Sequence, residues 1–133
     1  MNKTDLPEVP HDHGTNIQTL LKTVPSADDF KQAATVFQQL SDPTRLKILW
    51  LLCHTEECVY NIANAIDMSP PAVSHHLRSL KQSNLITNRR IGKEMHYTLQ
   101  DCTQANLIHQ VIDAIFNLNC PRKQTHNEKA KKC

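Results

Sequence analysis

Apolar and polar positions divide the chain into stretches of different period. From Ser26, the residues Phe30, Ala33, Ala34, Phe37 and Leu40 recur at helical spacing. Ser26-Ala-Asp-Asp29 has the form of a capping box with acids in the first turn, so a helix is predicted from there to about residues 39–41. Ser41-Asp42-Pro43 starts a second helix: Asp42 caps it, and Pro43 takes the first helical position, where the missing N–H costs nothing. Leu46, Ile48, Leu49 and Leu52 make this helix apolar nearly all round, which predicts a central place. His54-Thr55-Glu56-Glu57 breaks it. Cys58-Val59-Tyr60 reads as a short extended piece, and Ile62, Ala63 and Ile66 as a short helix.

Asp67-Met68-Ser69-Pro70-Pro71 is a turn and a restart. Ser69 can cap, and two prolines suit a first turn whose N–H groups have no helical partner. The helix that follows runs to about Gln82. It buries Val73, Leu77 and Leu80 and shows Ser74, His75, Arg78 and Lys81 on the other face. After Leu85–Arg90 and the turn Ile91-Gly92-Lys93, Met95, Tyr97 and Leu99 alternate with polar residues as a half-buried strand. The product is a two-stranded hairpin with a basic tip of Arg89, Arg90 and Lys93. Asp101 is expected to cap a last helix, with Gln104 three residues on. The apolar side of that helix holds Leu107, Ile108, Val111, Ile112, Ile115, Phe116 and Leu118. Such a stripe is wider than a small domain can cover, which predicts a partner surface.

Charge changes the picture of the middle segment. The chain of 133 residues has a formal net charge of +2, but residues 69–97 carry Arg78, Lys81, Arg89, Arg90 and Lys93 against Glu94 alone. Concentrated basic charge in a folded segment favours contact with a polyanion. Residues 1–25 are polar, acidic and proline-bearing, and read as a flexible N-terminal arm with a turn or two of helix around Ile17–Val24. Residues 26–120 read as the folded domain, and residues 121–133 as a basic disordered tail. Two glycines exclude Gly-rich phosphate loops, and no Cys-x-x-Cys or nucleophile turn is present, so an enzyme is not expected. The longest apolar run, Ile48 to Cys53, is too short to span a bilayer. With five cysteines and no export signal, reduced thiols and a cytoplasmic location are expected.

The order helix, helix, short strand, helix, helix, hairpin, helix describes a mostly α winged helix-turn-helix. A recognition helix needs an apolar back to dock on its own domain, a polar front to reach base edges, and nearby cations for phosphates. The helix from Ser69 has the first two, and the hairpin supplies the third. Three motifs then carry a family resemblance. Leu40-Ser-Asp-Pro-Thr-Arg-Leu-Lys-Ile-Leu49 resembles the opening of the ArsR/SmtB-type bacterial repressors. Ser69-x-x-Ala72-Val-Ser-His-His-Leu77-Arg-Ser-Leu80 resembles their recognition helix, and Leu85 to Leu99 their wing.

The resemblance implies a homodimer paired through its first and last helices, which represses transcription on a pseudo-palindromic DNA operator and is released by an effector. Arg78 is then the candidate for pairing with guanine, Ser74 and His75 for contact with bases or phosphates, Ser69 for DNA contact at the helix start, and Lys81, Arg89, Arg90 and Lys93 for phosphates. For a zinc-like effector, the family's last-helix pattern falls on Asp101, Thr103, Ala114 and Asn117. Only Asp101 matches, so that site is not expected, and His109, off that register, reads as a solvated or interface side chain. The family's Cys-x-Cys site falls on Cys58-Val59-Tyr60. Cys58 could be joined by His11 and His13 of the partner subunit as a site for zinc or a similar divalent ion such as cadmium. A thiol sensor built on Cys53 and Cys120 is the alternative effector chemistry. A winged-helix module that binds protein without DNA is the alternative of another class.

Overall fold

A computed structural model describes residues 8–11, 13, 14 and 16–117. They divide between two compact units, one ending at residue 34 and the other starting at residue 35. In the first unit, the Asn16 side chain accepts from the Thr19 N–H to cap the short helix α1 (Ile17–Leu21). The capping box expected at Ser26 starts α2 (Ala27–Ser41): Ser26 N–H donates to Asp29 Oδ2 at 3.0 Å, and Asp29 N–H donates to Ser26 Oγ at 3.1 Å. Ser26 thereby holds the Asp29 carboxyl below the usual carboxylate range, chiefly through its side chain.

The second unit is built around α3 (Pro43–His54), whose Ile48, Leu49, Leu52 and Cys53 are fully buried. Asp42 caps it as expected, accepting from Arg45 N–H at 2.8 Å. Around α3 lie α4 (Val59–Ile66), α5 (Pro70–Gln82) and α6 (Thr103–Phe116). Their core residues include Ile62, Ala63, Val73, Leu77, Leu80, Ala105 and Ile112.

Three details depart from the sequence reading. The sheet has three strands rather than two, in the order β1 (Glu57–Cys58), β3 (Glu94–Leu99), β2 (Ile86–Ile91). Glu57 pairs with Tyr97 and Cys58 with His96, so β1 covers an edge of β3 that a bare hairpin would leave open. The extended piece ends at Cys58: Val59 and Tyr60 already belong to α4. The N-cap of α6 is the buried Cys102, whose side chain makes no cap bond, with Asp101 exposed one residue earlier. The first helical bond runs from Asn106 N–H to the Cys102 carbonyl at 2.9 Å, so the burial of Cys102 sets the start.

No described helix is long and apolar enough to cross a membrane. Leu118, Cys120 and the tail 121–133 lie outside the described residues.

Candidate nucleic-acid interface

The turn between α4 and α5 is built by two local devices. Asp67 adopts a left-handed conformation (φ 56°), and Met68 N–H donates to the Ala63 carbonyl at 3.0 Å, which closes α4. Ser69 Oγ then accepts from Ala72 N–H at 3.3 Å and opens α5, with the prolines in its first turn. Val73, Leu77 and Leu80 dock α5 on the core. The docking is fixed at one more point, where Ser79 Oγ donates to Gln39 Oε1 at 3.0 Å. Arg45 donates to the carbonyls of Gln38 and Gln39 at 3.2 and 3.4 Å, binding the end of α2 to the start of α3. What remains outward on α5 is His75, Arg78 and Lys81, with Ser74 half-buried and Ser69 exposed at the N-terminus.

The wing turns through Gly92 and Lys93, between the paired residues Ile91 and Glu94. Positive φ falls on Gly92 alone (+63°), the pattern of a type II′ hairpin, so glycine is required there. The wing's cations are not equivalent. The Arg89 guanidinium grips the Glu56 carboxylate in the loop before β1, at 2.6 to 3.0 Å over three contacts. Its hydrogen bonds to Glu56, and then the opposite charge, hold the Arg89 pKa above its already high value. Lys81 Nζ donates to Asn88 Oδ1 at 2.9 Å, and Arg90 Nε donates to the Gly92 carbonyl at 3.4 Å. Arg78 and Lys93 are exposed and hold no partner among the described residues.

On α6 the wide apolar stripe splits in two. Ala105, Ile108 and Ile112 face the core, while Leu107, Val111, Ile115 and Phe116 are half or more exposed. The Phe30 and Phe37 side chains of α2 are exposed as well. His109 is neither solvated nor part of that outer face: it is buried, beside the fully buried Asp113 one turn on and His54 at the end of α3. The i, i+4 spacing of His109 and Asp113 on the buried stripe was the available signal, but His54 comes from a separate helix. Of the other sequence candidates, His11 and His13 stack in the first unit with ring centroids 5.9 Å apart, and Cys58 lies in the second, buried. Tyr60 of the Cys-x-Tyr pattern points out into solvent from α4. Cys53 and Cys58 are both buried and outside any disulfide.

The sequence profile of the bacterial regulatory proteins of the arsR family matches residues 42–88, the span from the α3 cap to the middle of β2. A transcriptional repressor SmtB homolog of Synechocystis is 37% identical over 101 residues, covering 76% of this chain and 76% of that protein. The chain belongs to the arsR family. A cadmium resistance transcriptional regulatory protein CadC homolog of Staphylococcus aureus is 37% identical over 113 residues, 84% of this chain and 89% of that one. Among solved structures, the homodimeric winged helix-turn-helix DNA-binding domain Mb0332 of Mycobacterium bovis superposes with a TM-score of 0.61 at 25% identity, over 80% of this chain and 96% of that domain. The winged helix-turn-helix expected from the order of elements is thus the fold, and the arsR-family protein is a DNA-binding transcriptional regulator rather than an enzyme.

Proposed function

We propose that the chain acts as a homodimeric transcriptional repressor that reads a two-fold symmetric operator with α5 and is released from it by a divalent metal ion. The single observation that carries the DNA part is the outward face of α5, with His75 and Arg78 exposed beside a cationic wing and an apolar back locked into the core. In this reading Arg78 pairs with a guanine edge in the major groove, and Ser74 and His75 contact neighbouring bases or phosphates. Ser69 and the N-terminus of α5 approach a phosphate, and Lys81, Arg90 and Lys93 hold the flanking backbone. Arg89 joins them only by giving up Glu56. The exposed face Leu107, Val111, Ile115 supports pairing of two copies, which sets two α5 helices about 34 Å apart along the duplex.

The metal part is supported by the relatives, one of which is named for cadmium resistance. Cys58 with His11 and His13 of the partner subunit is one donor set for it. An unchanged metal response of Cys58→Ser in a gel shift removes that set. The repressor reading as a whole is tested by filter binding of genomic fragments to the purified chain. Retention of fragments that share a palindrome with half-sites one helical turn apart supports it. Equal retention of all fragments, or of none, overturns it.

A further inference from the structure

His54, His109 and Asp113 bring together three donor atoms that lie within 4.8 Å of one another. His54 Nε2 is 3.4 Å from Asp113 Oδ1, and His109 Nε2 is 3.2 Å from Asp113 Oδ2. Each nitrogen thus approaches a different oxygen of one carboxylate. Yet neither Asp113 oxygen has a hydrogen-bond partner, although the side chain is wholly removed from solvent. A carboxylate in that position demands a cation held among its neighbours.

The tautomer of His54 is set from outside the cluster. Its Nδ1 lies 2.6 Å from the Trp50 carbonyl, which can only accept, so Nδ1 carries a proton and Nε2 is the nitrogen turned toward Asp113. That is the arrangement of a metal-binding histidine, whose second nitrogen is anchored to a backbone carbonyl. With one donor atom from each residue all within 4.8 Å of the others, small side-chain rotations bring the three onto one ion with zinc arms of about 2.0–2.2 Å. The His54 and His109 rings stand perpendicular with centroids 5.2 Å apart, so they converge without stacking.

We infer that His54, His109 and Asp113 form a binding site for a first-row divalent transition metal ion such as zinc or cobalt, with nitrogen and oxygen donors only. The site joins the C-terminal end of α3 to the inner face of α6. Three protein donors leave a fourth position for water, and His54, with 28% of its side chain exposed, lies on the route in. Because the opposite face of α6 carries Leu107, Val111 and Ile115, an ion here fixes that surface against the helix on which α5 is docked. Its service as the effector site rests on the repressor reading above; the binding itself does not.

Cobalt is the probe, and the full chain is freed of metal with a chelator before titration. Trp50 is the sole tryptophan and its ring lies 5.6 Å from that of His54, so its emission reports on this site. Cobalt bound at this site should quench Trp50 and give visible d–d bands, whereas a thiolate charge-transfer band would report ion held by the Cys58 set instead. Asp113→Asn and His54→Gln should each weaken the binding that quenches Trp50 roughly 100-fold. His54→Gln, at a partly exposed position, serves if Asp113→Asn does not fold by circular dichroism. Unchanged Trp50 emission, or wild-type affinity in the folded variants, overturns the site. A DNA arm separates the two readings. Zinc should weaken operator binding by roughly 5–150-fold in the wild type but not in His54→Gln. Metal bound at this site with no change in DNA affinity overturns its effector role alone. A chain that loads metal yet binds no DNA overturns the repressor reading and upholds the site.

Discussion

α5 and α6 are amphipathic helices of 13 and 14 residues that allot their polar groups in opposite ways. α5 keeps Val73, Leu77 and Leu80 inward and turns its cations out. α6 turns Leu107, Val111 and Ile115 out and buries His109 and Asp113. Water solvates the exposed charges of α5 without cost, so they are available to a polyanion. The apolar exterior of α6 is unfavourable in water and calls for a second protein surface. Its buried His–Asp pair is unfavourable in the core and calls for a cation. Surface charge and buried charge thus point to different ligands on neighbouring helices.

The sharpest way to break the comparison is to put a charge on the outer face of α6. Ile115→Glu should give a monomer by sedimentation and lose roughly 100-fold or more in operator affinity, because two linked half-sites become separate ones. A dimer of normal affinity would show that this face pairs with nothing. On the inner face of α5, Leu77→Ala should cost about 2–5 kcal/mol in urea denaturation. A loss well under 1 kcal/mol would mean that α5 is not docked as described.

Smaller changes sharpen the contrast among charges. Glu56→Gln frees Arg89 from its carboxylate, and should tighten DNA binding several-fold while steepening the salt dependence by about one counterion. An unaltered slope would exclude Arg89 from the phosphate contacts. The smallest effect is at the start of α2. The Asp29 pKa is lowered in the folded chain, so its contribution is present above the ordinary carboxylate range and is lost as pH falls through the lowered value. Asp29→Asn should therefore make stability fall less steeply than in the wild type as pH drops through and below the ordinary carboxylate range. Parallel pH curves would show that the capping box contributes nothing.

Much of this was legible in the sequence, for physical reasons that can be named. Asp42-Pro43 and Ser69-Pro70-Pro71 mark helix starts through local chemistry, and Val73, Leu77 and Leu80 mark a buried face by spacing alone. Gly92 marks the wing turn because positive φ is needed there. What stayed hidden depends on contacts between distant residues. β1 exists only by pairing with β3, nearly forty residues on. Arg89 reads as a free cation until the fold brings Glu56 to it. His109 reads as a lone histidine because its second neighbour, His54, sits on another helix. The cap expected at Asp101 failed for the same reason, since the burial of Cys102 decided where α6 begins.

The central claim is that the outward face of α5 reads DNA bases, and methylation interference on a selected operator tests it most directly. In each half-site, one guanine whose N7 is methylated should block the wild-type chain. Arg78→Ala should lose discrimination at that guanine, a change of about 1–3 kcal/mol, while keeping its other backbone contacts. An identical interference pattern in the two proteins would contradict the account.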